Sequence, residues 1–439
     1  IVPNDNGRSY APTVSRLSDS LKHLRNNPRR LQKAERIERK LKASLPFSEH
    51  VERAIEATKA AMREMWDTTS FFEDLGVRYN GPFDGHDIEE LERALRNATL
   101  FEGPTVIHVM TEKGRGYGPA ENDPVKRLHD MGNAKPGSYT AAFTEAMLKE
   151  AEARPEMVAL TAAMPDSTGL VPFAERYPDR CIDVGIAEQH AVTAAAGMCM
   201  GGLRPVFALY TTFLTRAFDQ VNLDVGLHGQ PVVFCMDRAG VTGDDGPSHH
   251  GLLDMVLLTK VPGMTVFAPS SYQELQQMLH DALDITSGPV SIRYPKTAAP
   301  NVDESQVGSG VAARRTATGS DVCILAVGKM LAAAQEAATL LEASGTSCTV
   351  WDVRCVQPLD QDMLGDAANH PLVITIEDGL RDGGCGAAVR DRLSAYPSDP
   401  KVRVLGVPLR YIPHGDAAQI LASLGLDAQG IQETVLANL

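Results

Sequence analysis

Past residue 150 the chain keeps repeating one pattern: a short apolar run, a helical stretch, then another short apolar run. The runs fall at 157–161, 181–184, 205–210, 231–236 and 264–267, and helical segments lie between most of them. A strand that is apolar on both sides has to be covered on both sides. The alternation therefore predicts a parallel sheet between two helical layers. The sequence turns polar near 300–310 and then begins a further α/β set, with strands expected at 322–327, 347–352 and 372–377. Another polar stretch, 118–137, carries Pro119, Pro124, Pro136 and several glycines and reads as an inter-domain linker. A chain of 439 residues is long for one domain and fits two or three.

Ahead of that linker, Ile1-Val2-Pro3-Asn4-Asp5-Asn6 reads as the end of a strand, so a preceding segment is expected. Residues 14–44 place Val14, Leu17, Leu21 and Leu24 at helix spacing, broken at Pro28. Ten basic residues face three acids there, which suits a solvated helical face better than a nucleic-acid arm. The whole chain has 42 basic against 56 acidic residues, a formal charge of −14, which argues against general nucleic-acid binding. Small anionic substrates need only local Arg and Lys. A second helical pattern covers 48–66. Asp87 with Glu90 three residues on marks a helix start feeding Ile88, Leu91 and Leu95, and a strand is expected at 104–110. Seven scattered cysteines, with no C-x-x-C pair, fit a reduced, cytoplasmic compartment and no zinc site. No apolar run approaches the roughly 18 residues of a membrane span.

Several segments carry residues suited to chemistry, each with a plainer alternative. Asn4-Asp5-Asn6-Gly7-Arg8 follows a strand end and offers hard oxygens of the kind Mg²⁺ takes, though most such tripeptides are turns. Asp183-Val184-Gly185-Ile186-Ala187-Glu188 runs from a strand into a helix, with Glu188 in the first turn. That carboxylate either complements the helix dipole or bonds a cofactor ring. Tyr210 and Phe213 follow another strand, at the end where α/β proteins bind ligands, and serve as core or as an aromatic platform. The Gly-rich loop 237–251 is dense in ionisable groups. Arg238 suits a phosphate, and Asp245 or His249 suits proton handling, unless the loop is simply solvated surface. Arg293 ends a further strand as a second candidate anion ligand. Glu377-Asp378-Gly379-Leu380-Arg381-Asp382-Gly383-Gly384-Cys385-Gly386 hints at a phosphate cradle but matches neither Gly-rich phosphate fingerprint, and reads better as tight turning and helix packing.

In their order and wording these segments, with 113–121 and Gly81-Pro82-Phe83-Asp84-Gly85-His86-Asp87, resemble the 1-deoxy-D-xylulose-5-phosphate synthase family across essentially the whole chain. The resemblance implies three doubly wound α/β domains of transketolase type, the first one incomplete. Residues 1–135 correspond to part of a diphosphate-binding domain, 136–305 to a pyrimidine-binding domain and 306–439 to the transketolase C-terminal domain. It implies a homodimer that uses thiamine diphosphate and Mg²⁺ to condense pyruvate with D-glyceraldehyde 3-phosphate, in the supply of isoprenoid, thiamine and pyridoxal precursors.

By the same resemblance Asn6 and the carbonyl of Arg8 are metal ligands, and Tyr117 and Phe213 contact the cofactor. Glu188 faces its aminopyrimidine ring and promotes activation of the thiazolium carbon. His129 is an active-site histidine, although local spacing there is one residue longer. Tyr210, Arg238, Asp245, His249 and Arg293 match the acceptor region, with Asp245 and His249 as proton-handling groups. The family's Gly-Asp-Gly metal segment belongs upstream of Ile1. A chain of these residues alone is therefore expected to lack part of the metal site. The alternatives are a transketolase-like ketol transferase, or a non-catalytic or partner-dependent subunit.

Overall fold

The structure is a computed structural model that describes residues 1–7, 71–123, 127 and 135–439. It divides into two units, Ile1–Met131 and Gly132–Leu439. The helices expected at 14–44 and 48–66 lie outside the described residues.

In the first unit the N-terminal residues pair as an extended strand, as the sequence suggests. The strands β1 (Asn4–Asp5), β2 (Arg78–Asp84) and β3 (Thr105–Met110) form a parallel sheet with β3 in the middle. Pairing reaches beyond β1, because the Ile107 amide donates to Ile1 O at 2.8 Å and the Val109 amide to Pro3 O at 3.0 Å. The helix Ile88–Ala98 begins where the acidic spacing places it. Asp87 accepts from the Glu90 amide at 3.0 Å and satisfies one orphan donor of the first turn. Ala94, Ile107 and Val109 form a small core between this helix and the sheet. The polar stretch expected as linker opens instead as one helical turn, Gly118–Glu121. Pro119 there takes a position whose N–H needs no intrahelical partner.

The second unit contains two sheets. One is built from β4 (Met157–Thr161), β5 (Cys181–Asp183), β6 (Arg204–Tyr210), β7 (Val233–Asp237), β8 (Thr265–Phe267) and β9 (Val290–Arg293). The other is built from β10 (Arg314–Ala317), β11 (Val322–Ala326), β12 (Cys348–Asp352), β14 (Leu372–Leu380) and β15 (Lys401–Val407). Between β12 and β14 the short β13 (Cys355–Gln357) leaves its own set and pairs antiparallel with β8. The first sheet therefore has seven strands in the order β13-β8-β9-β7-β6-β4-β5, parallel except at β13. The second runs β10-β12-β11-β14-β15, parallel except at β10. The expected parallel sheets are there; the exchanged strand is the part the periodicity does not announce.

One apolar cluster joins the sheets. Leu209, Phe234 and Met236 of the seven-stranded sheet belong to the same buried group as Leu325, Trp351 and Val373 of the other. Arg354 reinforces the junction. It is fully buried, donates from Nε to Glu274 Oε2 at 2.8 Å, and gives Nη1 to the carbonyls of Ser309, Gly310 and Ala312. The glycine-rich turn at 377–386 packs closed. The Glu377 carboxylate accepts from the amides of Cys385 at 3.0 Å and Gly386 at 2.8 Å, so its own helix N-terminus is already occupied. All seven cysteines are free thiols. No helix of the described residues is long and apolar enough to cross a membrane.

Candidate active site

Parallel strands send their carboxyl ends to one edge of the sheet, and the loops beyond them gather there. In the seven-stranded sheet those ends are Asp183, Tyr210, Asp237 and Arg293, on β5, β6, β7 and β9.

At the end of β5, Asp183 Oδ1 accepts from the amides of Ala163 at 2.7 Å and Gly185 at 2.9 Å. Gly185 takes φ +71°, open to glycine without strain, and the chain turns into the helix Glu188–Met200. Glu188 is its first residue. Only 2% of it is exposed, and Oε2 accepts from Arg216 Nη1 at 3.0 Å. A carboxylate this buried must be paired, and Arg216 with the helix N-terminus provides for it. Arg216 comes from the 3₁₀ segment Thr211–Ala217 after β6.

The same segment carries Phe213, and Tyr210 ends the strand before it. Tyr210 and Phe213 stack with centroids 5.6 Å apart and planes 15° from parallel. The His249 ring meets both edge-on, at 5.5 Å from Phe213 and 6.4 Å from Tyr210. The Arg238 guanidinium carbon lies 4.2 Å from the centre of the Tyr210 ring. The structure thus brings Tyr210, Phe213, Arg238 and His249 into one cluster.

Arg238 is largely buried and adopts φ +62°. Its Nη1 donates to Ser167 O at 2.7 Å and lies 2.8 Å from Asp237 Oδ2, while Nε is buried without a partner. Asp237 also accepts from the Thr140 hydroxyl at 2.8 Å. Burial raises its pKa in spite of Arg238 and that hydroxyl. Asp245 pairs with Lys296 Nζ at 2.9 Å. Lys296 is a partly exposed cation that the sequence reading passed over, although it closes the segment Arg293-Tyr294-Pro295-Lys296.

Arg293 is more committed than an open anion ligand. It is 3% exposed, with Nε 2.5 Å from Asp254 Oδ2 and Nη1 2.8 Å from Asp378 Oδ1. Its Nη2 is buried and unpartnered. Burial alone would raise the Asp378 pKa, but Arg293 and Lys329 together hold it below the ordinary value.

In the first unit, Asn6 follows β1, and Asp5 Oδ1 accepts from the Gly7 amide at 2.8 Å. Tyr117 is exposed and caps the turn Gly118–Glu121. Arg8 and His129 lie outside the described residues.

Comparison with known proteins decides what these features belong to. Residues 1–111 match the family described as 1-deoxy-D-xylulose-5-phosphate synthase, 135–301 match "Transketolase, pyrimidine binding domain", and 311–431 match "Transketolase, C-terminal domain". The 1-deoxy-D-xylulose-5-phosphate synthase of Thermobifida fusca is 43% identical over 98% of this chain and 70% of its own length. That of Paenarthrobacter aurescens is 42% identical over 100% of this chain, again over 70% of its own. The chain belongs to the 1-deoxy-D-xylulose-5-phosphate synthase family. Among solved structures, the inactive beta4 tetramer of a split-gene transketolase is 29% identical. It has a TM-score of 0.63 and covers 68% of this chain and 97% of its own. A transketolase variant from Pichia stipitis, 17% identical with a TM-score of 0.59, shares the fold over 70% of this chain and 46% of its own.

As a 1-deoxy-D-xylulose-5-phosphate synthase family member the chain is a transferase of the thiamine-diphosphate-dependent, transketolase type. The residues of the second unit fit such a cofactor. Glu188 is a buried carboxylate at a helix start, able to bond a ring nitrogen, and half-buried Phe213 is a flat apolar surface. No group of three or more His, Cys, Asp or Glu among the described residues gathers as a metal site, and of the two expected metal ligands only Asn6 is described.

Proposed function

We propose that the chain condenses pyruvate with D-glyceraldehyde 3-phosphate, releasing CO₂ and giving 1-deoxy-D-xylulose 5-phosphate. Thiamine diphosphate supplies the carbon nucleophile and the electron sink for decarboxylation. Glu188 holds the pyrimidine end of the cofactor by a hydrogen bond, in the protonation state the reaction needs. Phe213 receives the ring by stacking, and Tyr117 adds a contact. The Asn6 side chain and the Arg8 carbonyl would hold Mg²⁺, whose charge would offset that of a diphosphate. Tyr210, Arg238 and Arg293 serve the acceptor end, where Arg238 Nε and Arg293 Nη2, each unpartnered on an otherwise bonded guanidinium, suit a phosphate ester. His249, Asp245 and His129 handle protons on the condensing carbonyl.

The observation that carries this reading is the buried Glu188 paired with Arg216, on the same 3₁₀ segment as Phe213 of the aromatic stack. In the same reading the chain acts as a cytoplasmic homodimer. Exposed Met200, Leu223 and Leu227, on and after the helix that Glu188 begins, offer apolar surface to a second copy. The domains run 1–135, 136–305 and 306–439, and the product feeds isoprenoid, thiamine and pyridoxal synthesis. Incubation with pyruvate and the triose phosphate tests the reaction directly. CO₂ release matched by 1-deoxy-D-xylulose 5-phosphate is the expected result. Cleavage of a ketose phosphate without decarboxylation would instead make the chain a transketolase-like ketol transferase.

A further inference from the structure

The loop after β7 holds Arg238 and His249 against the aromatic pair, yet what fixes it comes from the other sheet. The loop closes on itself at its root: the Gly240 amide donates to Gly251 O at 2.7 Å, and the Gly251 amide returns to Gly240 O at 2.9 Å. At the entry, Gly240 has φ +76°, and its Cα faces the Asp378 carboxylate so closely that a Cβ would overlap Oδ2. At the exit, Asp254 opens the helix Asp254–Leu258 and is gripped by Arg293. Arg293 also grips Asp378, and Lys329 Nζ stands 3.4 Å from the free side of that carboxylate. Two acids and two bases thus close a buried, charge-balanced chain from one end of the loop to the other. Asp378 and Lys329 both lie in the region of the five-stranded sheet. The loop's far side rests on the same region. Gly243 O accepts from the Gly415 amide at 3.3 Å, and His250 Nε2 lies 3.4 Å from Pro413 O.

We propose that Asp378 is a positioning residue for the acceptor end of the site: acting through Gly240 and Arg293, it holds the 238–251 loop so that Arg238 and His249 stay aligned. This rests on the acceptor role given to that loop above. The physical ground is that buried charges hold only as a set. Removing the Asp378 carboxylate leaves two cations, Arg293 and Lys329, with Asp254 as the one acid of the set, and the loop root is where that imbalance can relax. Misplacement of binding groups by about 1 Å is enough to cost about a hundredfold in rate. The effect should fall on the acceptor. Glu188, Arg216 and Phe213 sit on other segments of the chain, and the charged partners of Asp378 are Arg293 and Lys329.

The test compares Asp378→Asn with the parent enzyme in complete, cofactor-loaded form. Three quantities are read: pyruvate decarboxylation without acceptor, kcat, and KM for D-glyceraldehyde 3-phosphate. The expected result is a KM for the triose phosphate raised about tenfold or more, with the pyruvate step within about twofold. Lys329→Met, which leaves both carboxylates in place, should move KM the same way by a smaller factor. It decides the matter if Asp378→Asn does not accumulate folded. His249→Ala separates this inference from the reading beneath it. If His249→Ala raises the acceptor KM and the Asp378 and Lys329 variants leave it unchanged, Asp378 has no positioning role. Equal losses in both half-reactions would also overturn the proposal. If none of the three variants touches the acceptor KM, the acceptor assignment of the loop fails and takes this inference with it.

Discussion

At the scale of single residues the side chain that matters most is Glu188, 2% exposed and bonded to Arg216. Replacing it with Gln keeps size and shape but removes the charge that a cofactor ring nitrogen needs opposite it. Glu188→Gln should lower kcat about a hundredfold or more, the range in which positioned acid–base groups act, while the thermal midpoint moves little. Turnover close to the parent's, measured with saturating thiamine diphosphate, would refute the role. This residue was legible in the sequence because a strand end, a glycine turn and a helix start bracket it. The fate of Arg293 was not legible. A strand-terminal arginine looks like an open anion ligand, and its two carboxylates, Asp254 and Asp378, lie 39 and 85 positions away in the chain. Lys296 was overlooked for the converse reason, since nothing local separates its cation from a solvated one.

Among elements, two joints invite a measurement. The helix Tyr272–Asp284 is capped by Ser271, whose hydroxyl accepts from the Glu274 amide at 3.1 Å in a buried setting. Ser271→Ala should cost about 1 kcal/mol, read from urea denaturation, because one amide of the first turn loses its partner. A cost indistinguishable from zero would mean the cap is replaced by water. At the end of β12, Asp352 is fully buried and bonded by the Ser270 hydroxyl at 2.6 Å. Burial pushes its carboxyl up to about 7, with the Ser270 hydrogen bond pulling the other way. An unfolded Asp titrates near about 4, so between those values the folded chain keeps a proton that the unfolded chain has released. The stabilising contribution is complete below the lower value and is lost as pH rises through the upper one. Asp352→Asn, neutral throughout, should flatten the decline of the thermal midpoint between about pH 4 and 8. Some slope should remain, because burial also raises Glu377 to about 7. An undiminished slope in the variant would contradict the shift at Asp352. At this scale the sequence told strands from helices well, since apolar runs and capping residues are local signals. It did not reveal β13. Cys355-Val356-Gln357 is too short to carry a period, and which sheet a strand joins is decided by contacts its own residues do not record.

For the molecule as a whole, the question is whether the second unit behaves as two domains or one. The change of composition near 300–310 argues for two. Three features argue for cooperation. The exchange of β13 puts a strand from the later segment into the seven-stranded sheet. One apolar cluster draws on both sheets, so neither can open without exposing the other. Arg354 holds the connecting segment through three of its carbonyls while its charge is met by Glu274 on the other side. A break in such a pair leaves a buried charge uncompensated, at a cost of about 3–5 kcal/mol, well above a surface ion pair. Arg354→Ala should therefore lower stability by about that amount. It should also do more than shift a midpoint, because it releases a buried side chain that ties the 309–312 segment to the helix Tyr272–Asp284 and leaves the Asp281 bond to the Gly310 amide to hold it. The parent should unfold the second unit in a single transition, with tryptophan fluorescence and far-ultraviolet circular dichroism coincident. Trp351 on β12, read in a Trp66→Phe background, and the helices packed around both sheets then report the same event. In Arg354→Ala the two probes should separate, and limited proteolysis should cut first within 303–313. Separated transitions in the parent would show that the shared core and the exchanged strand are too weak to couple the sheets. Coincident transitions in the variant would show that the apolar core couples them without help from Arg354.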